Sequence, residues 1–262
     1  MILFRHEMKR GRLAFLIWTL GIASMIIVCM VLYPEMKQQM DEVTEMFSNM
    51  GGFTAAFGMD QVNFGEVMGF YAVECGNILG LGGAFYAALL GIMALSKEEK
   101  EHTAEFLLTH PVSRLQIVVE KWLACIVQLL LMNGIIVAIS VASFTAIGED
   151  MEGKAFVILH LAFLVMQLEI MSVCFGISAF IRGSGMGAGI GLATVLYFLN
   201  IIRNISEKAE GLKYVTPFAY ADASDIVADV AVDEKLLMLG VLYGVIGVLA
   251  ALIYYRKKDI SV

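Results

Sequence analysis

The fold this chain specifies is an all-α integral membrane protein with six transmembrane helices and both termini in the cytoplasm. Three observations specify it. The composition is 59% hydrophobic and 16% charged, with mean hydropathy +0.79, whereas soluble domains are about half apolar and a quarter charged. Apolar windows fall at 13–33, 70–95, 117–147, 155–181, 186–202 and 236–255, each near the roughly 20 residues that cross about 30 Å of hydrocarbon as a helix. With the N-terminus inside, segments 1–12, 96–121, 182–185 and 256–262 hold 12 of the 18 Lys and Arg residues. That asymmetry is the positive-inside pattern.

The first window follows Arg5, Lys9, Arg10 and Arg12 as a signal peptide would, but it ends in Tyr33-Pro34-Glu35 without a small-residue cleavage site, so it reads as a retained span. In the outer loop that follows, Met36, Met40, Val43, Phe47 and Met50 recur at helical spacing. They predict an amphipathic segment at about 35–50, lying on the outer surface or capping the bundle. The second window carries Glu74 near its outer end and Asn77 one turn deeper.

Between the second and third windows, Ser96 and Glu99 have the spacing of a capping box, which predicts a new helix from Lys97. It must end before Pro111, which lacks an amide donor and disfavours helical geometry in the residue ahead of it. Ser113 and Gln116 form a second box that opens the third span. The result is a short cytoplasmic helix at about 97–108, with Glu98, Glu99, Glu101 and Glu105 as its charge and Phe106, Leu107 and Leu108 as its apolar end. Such a helix suits a groove on a soluble partner. Its acidity argues against lying on an anionic leaflet.

In the fourth window Glu169 sits near mid-span beside Gln167, too deep to snorkel. A charge there costs roughly 2.5–3.5 kcal/mol on insertion scales, so it must face protein, water or a partner. Either structural hydrogen bonding or contact with a cationic substrate would satisfy it, and Glu74, Asn77, Gln167 and Glu169 are the candidate substrate path. His160 reads as interfacial. Into the fifth window run Gly183, Gly185, Gly187, Gly189 and Gly191, two interleaved small-residue spacings that predict close helix packing. The run from Tyr214 to Tyr220 in the last outer loop is aromatic enough to dip toward the interface.

Other chemistries find no support. Cys29, Cys75, Cys125 and Cys174 lie in four different windows, with neither disulfide nor metal spacing. No cluster of His, Asp or Cys has catalytic spacing, and no G-x-x-x-x-G-K-[ST] phosphate cradle occurs, Gly153-Lys154 lacking the spacing. The chain is therefore expected to be no enzyme by itself, to hold no metal or cofactor, and to partner lipid but no nucleic acid.

The cytoplasmic loop resembles the one in membrane subunits of bacterial ABC exporters of the type 2 permease group. Thr103, Glu105, Leu107, Leu108, Pro111, Val112, Ser113, Arg114 and Lys121 match that group's motif in type and spacing, with His102 and Ala104 departing from it. The terminal Tyr255-Arg256-Lys257-Lys258 run is also similar. The resemblance implies a coupling helix that docks a separate cytoplasmic ABC ATPase, with ATP and Mg bound by that partner. It further implies a second permease chain, as a homodimer, and a place in the bacterial cytoplasmic membrane; the glycine-rich face would pack either against that second chain or within one chain. The rival reading is an ion- or proton-coupled carrier using Glu74 and Glu169, against which no inverted repeat or pair of broken helices is found.

Overall fold

The computed structural model describes residues 2–39, 51–100, 113–181 and 183–257. Six of its helices are long and apolar enough to cross a membrane. They are α1 (Ile2–Gln38), α2 (Gly76–Lys100), α3 (Arg114–Ile147), α4 (Gly153–Ser178), α5 (Met186–Ile205) and α6 (Glu234–Lys257). No strand occurs among the described residues. Helices suit these sequences because lipid offers the backbone no hydrogen-bond partner, so each segment must satisfy its own amides and carbonyls.

The helix ends refine the expected ones. Helix α1 continues through Pro34 to Gln38, so part of the expected amphipathic segment completes the first span, and residues 40–50 lie outside the described ones. Val67–Phe70 and a π-turn at Tyr71–Cys75 lead into α2. A π-turn leaves part of the ladder unpaired, and Asn77 Nδ2 donates to the Val73 carbonyl at 2.6 Å. At Ser96 the capping-box expectation fails. The residue is buried, its hydroxyl donates to the Ile92 carbonyl at 2.8 Å, and α2 runs on to Lys100 without a break. A hydroxyl inside a helix bonds backward in this way when its own backbone stays helical. At Ser113 the expectation holds, since its Oγ accepts from the Gln116 amide at 3.1 Å. Helix α3 ends at Gly148, whose φ of 73° closes the last turn in the left-handed region that suits glycine.

Helix α4 is the axis of the bundle. It packs on α2 and α6, while α3 packs on α1 and α5 leans on α2. Glycines permit close crossings: a Cβ on Gly91 of α2 would run into the Met171 carbonyl oxygen of α4, one on Gly247 of α6 would lie 2.5 Å from the Ser172 carbonyl oxygen, and one on Gly176 of α4 would lie 2.5 Å from that of Gly247. The outer helices leave much apolar surface open, as Leu13, Ile17, Leu20 and Val31 do on α1, Val195 and Phe198 on α5, and Met238 and Ile253 on α6. Exposed apolar faces this extensive are those of a chain whose solvent is lipid.

The first turns of α1, the end of α2, the start of α3 and the end of α6 share one end of the bundle. At the opposite end Lys37 of α1 pairs with Glu149 after α3 at 2.6 Å. A short helix, Gly52–Ala56, two 3-10 turns, Glu207–Tyr214 and Pro217–Ala219, and the helix Ala223–Asp229 complete that end.

The crossing geometry separates two glycine classes. Gly247→Leu should lower stability by about 1–3 kcal/mol through overpacking, whereas Gly21→Leu, with nothing within 4 Å of its Cβ position, should be near neutral. Thermal unfolding of the two variants in mild detergent checks this, and equal melting temperatures would contradict it.

Candidate functional site

Of the residues expected to dock a partner, Glu98 and Glu99 lie on the last turn of α2, and Glu101, Thr103, Glu105, Phe106, Leu107, Leu108 and Pro111 lie outside the described residues. Arg114 and Lys121 are described, and both hold the root of the segment inside the bundle. The Arg114 guanidinium donates to the Tyr255 and Arg256 carbonyls at 3.4 and 3.3 Å. It thus satisfies acceptors left open at the end of α6. Lys121 is 1% exposed, and its ammonium donates to the Ala94 carbonyl at 2.7 Å and to Glu7 at 3.2 Å. Glu7 also pairs with Lys97 at 3.4 Å.

One carboxylate on α1 therefore clasps the two lysines that flank segment 98–112. Glu120 adds a second tie, accepting from the Phe4 amide at 2.9 Å and from the Gln116 side chain at 2.7 Å. A cavity of about 440 Å³ adjoins this cluster, with Arg10, Trp18, Tyr86, Leu90 and Gln128 among its walls. Glu7 escaped sequence reasoning because it reads as one solvated charge in a basic N-terminus. Its only signal is that it is the sole acid before α1 becomes apolar.

The expected substrate path separates into three environments. Gln167, fully buried, accepts from Asn133 Nδ2 of α3 at 2.6 Å. Glu169, two residues on, faces the other way: its Oε2 accepts from the Tyr220 hydroxyl at 2.7 Å, and Gly240 of α6 leaves room for it. Burial and the Glu169 carboxylate raise the Tyr220 hydroxyl far above the usual phenol range, which keeps it a donor. Asn77, besides mending the π-turn, accepts from the Tyr197 hydroxyl at 3.3 Å and lines a cavity of about 30 Å³. That volume admits about one water molecule. Glu74 is on the wall of neither this cavity nor the one beside Glu169.

Beside Glu169 opens a cavity of about 410 Å³ between α4, α5 and α6. A narrow cleft on its other side leads past Tyr220 and Thr216 to Lys213. The sequence supplied Glu169 but not Tyr220, whose residue number is 51 away; the aromatic run that was expected only to approach the interface instead reaches α4. His160 likewise is buried rather than interfacial, its Nε2 lying 3.0 Å from the Tyr71 hydroxyl, which also donates to Ser140 at 2.7 Å.

The glycine run divides by face. Gly185 and Gly189 are buried against Ile92 of α2, Gly187 and Gly191 have nothing within 4 Å, and Gly183 takes a φ of 99° in the turn before α5. At the far end of α5, Arg203 pairs with Asp225 at 3.3 Å and Asp222 at 3.6 Å, while Asn200 and Asn204 each donate to Asp222 at 3.1 Å. This cluster fastens the segment that carries Tyr220. Burial and the neighbouring Asp222 push Asp225 up to about 6, with Arg203 opposing.

Fold and sites together define a polytopic membrane protein whose polar interior binds its own helices, with a carboxylate beside a lateral cavity and charged clusters at both ends. Among the described residues no group of three His, Cys, Asp or Glu could hold a metal ion. The chain belongs to the ABC-2 family of transporter proteins, whose family model matches residues 1–260. It is thus a membrane component of an ABC transporter, the class in which an ABC ATPase is the partner. No curated protein matches it in sequence.

Removing Lys121 takes away the shorter of the two ion pairs that Glu7 makes and leaves Lys97 as its remaining partner, so Lys121→Met should cost about 1.5–3 kcal/mol. Adding Glu7→Gln should recover part of that loss, and strictly additive melting shifts would show that the pair is not coupled. For Asp225 the folded value is raised, so its contribution is fully present below the unfolded carboxylate range and is lost as pH rises through about 6. Wild type should lose thermal stability between pH 4 and pH 7 relative to Asp225→Asn, and parallel profiles would contradict the assignment.

Proposed function

We propose that the chain is the permease subunit of an ATP-driven exporter in the bacterial cytoplasmic membrane. A separate ABC ATPase hydrolyses ATP with Mg in the cytoplasm, and two permease chains convert its closure into substrate movement through the seam between them. The observation that carries this reading is the ABC-2 family match across residues 1–260. The sequence agrees, since it holds no phosphate cradle of its own, and the distribution of Lys and Arg supports cytoplasmic termini.

In this reading Glu98, Glu99, Glu101, Thr103, Glu105, Phe106, Leu107, Leu108 and Pro111 form the coupling segment that the ATPase engages. Lys97 and Lys121 stand at its two roots and share Glu7, so a push on the segment is delivered to α1 as well as to α2 and α3. The open glycine face at Gly187 and Gly191 supports a second chain as neighbour. The carrier reading needs Glu74 and Glu169 to exchange one ion, and it draws no support from the cavity beside Glu169, whose lining among the described residues lacks Glu74.

Co-purification from mild detergent tests the proposal. The tagged chain should retain an ABC ATPase subunit and its ATPase activity, and Glu105→Arg with Leu108→Asp should abolish both that association and transport while the chain still inserts. Normal transport by the inserted double variant would overturn the docking assignment.

A further inference from the structure

The cavity between α4, α5 and α6 has a composition that selects a ligand. Its volume of about 410 Å³ falls in the range of small-molecule sites. Ile170, Val173, Leu192, Leu196 and Ile246 make the walls apolar, and Phe180 and Tyr243 add two aromatic rings. Glu169 is the sole charged residue on the lining. It is 7% exposed, it accepts one hydrogen bond, from Tyr220, and no ion pair reaches it among the described residues. A carboxylate at this depth is costly without a counter-charge.

Position gives the cavity a route of entry. Helix α5 leans on α2 and α6 on α4, and the cavity occupies the gap between these two lightly buried helices, open toward the apolar surroundings. We propose that this cavity binds a lipophilic monocation, with its positive centre on Glu169 and its apolar body among the α4, α5 and α6 side chains. Aromatic rings beside a single carboxylate favour a large, weakly hydrated cation. A metal ion would need several oxygen ligands, and the lining supplies one carboxylate among apolar groups. An anion would meet Glu169 with no compensating base on the wall. As a transported substrate the cation rests on the exporter reading, but as a bound ligand it does not.

The experiment uses the full chain in nanodiscs of zwitterionic lipid at mildly alkaline pH, without any ATPase. Tetraphenylphosphonium and tetraphenylborate, nearly identical in size and opposite in charge, are titrated against empty discs as blanks. The proposal expects saturable binding of the phosphonium alone, weakened about tenfold or more in Glu169→Gln, the effect of losing one charge-assisted contact. Leu196→Trp, which fills the cavity and leaves the carboxylate in place, should weaken it too, while Glu74→Gln should not. Equal binding of the two probes, or unchanged phosphonium affinity in a folded Glu169→Gln variant, would overturn the proposal. Because no ATPase is present, that failure leaves the exporter reading standing, and loss of the ATPase partner in co-purification leaves this site standing.

Discussion

Helix α4 carries His160, Gln167, Glu169 and Ser172 through the centre of an apolar bundle, each turned to a polar group on a neighbouring element, while His160 Nδ1 and Gln167 Nε2 keep no protein hydrogen bond among the described residues. His160 meets Tyr71 at the start of the second span, Gln167 meets Asn133 of α3, Glu169 meets Tyr220 of the segment between α5 and α6, and Ser172 accepts from the indole of Trp122 at 3.5 Å. Each reaches a different neighbour, so the four contacts together fix the rotation and depth of α4. Hydrocarbon offers none of these groups an alternative. The glycine crossings with α6 follow from the same need, because a side chain at Gly240 would occupy the place of the Glu169 carboxylate.

The two ends of the bundle are fastened differently. At the termini the ties are ionic and join α1, α2 and α3 through Glu7, Lys97 and Lys121. At the far end amides and carboxylates gather round Asp222 and hold the segment that carries Tyr220. Between them stands Glu169, bonded to that segment on one side and open to the lateral cavity on the other. Glu7 ties α1 to the two helices that carry Lys97 and Lys121.

The six spans were legible because twenty-residue apolar windows leave little choice in lipid, and Ser113 was legible because a cap acts within one turn of chain. What the sequence concealed was distance. Ser96 carries the spacing of a capping box, yet burial among the helices makes extension of α2 the better outcome and turns its hydroxyl back on Ile92. The alternating glycines from Gly183 drew notice by their regularity, whereas the close backbone crossings between helices belong to Gly91, Gly176 and Gly247, whose partners lie on another helix. Two residues apart in sequence, Gln167 and Glu169 were grouped as one path, but a helix rotates such residues to nearly opposite faces. Lys121 shows the same limit: its motif position was recognisable, but its burial against Glu7 was not.

The most direct test of the account is photocrosslinking from position 108 in intact cells, with a photoreactive residue replacing Leu108 in the full chain. A cytoplasmic coupling segment predicts an adduct with an ABC ATPase subunit. An adduct with an extracytoplasmic protein, or none with any ATPase from a chain shown to be inserted and folded, would contradict both the orientation and the drive.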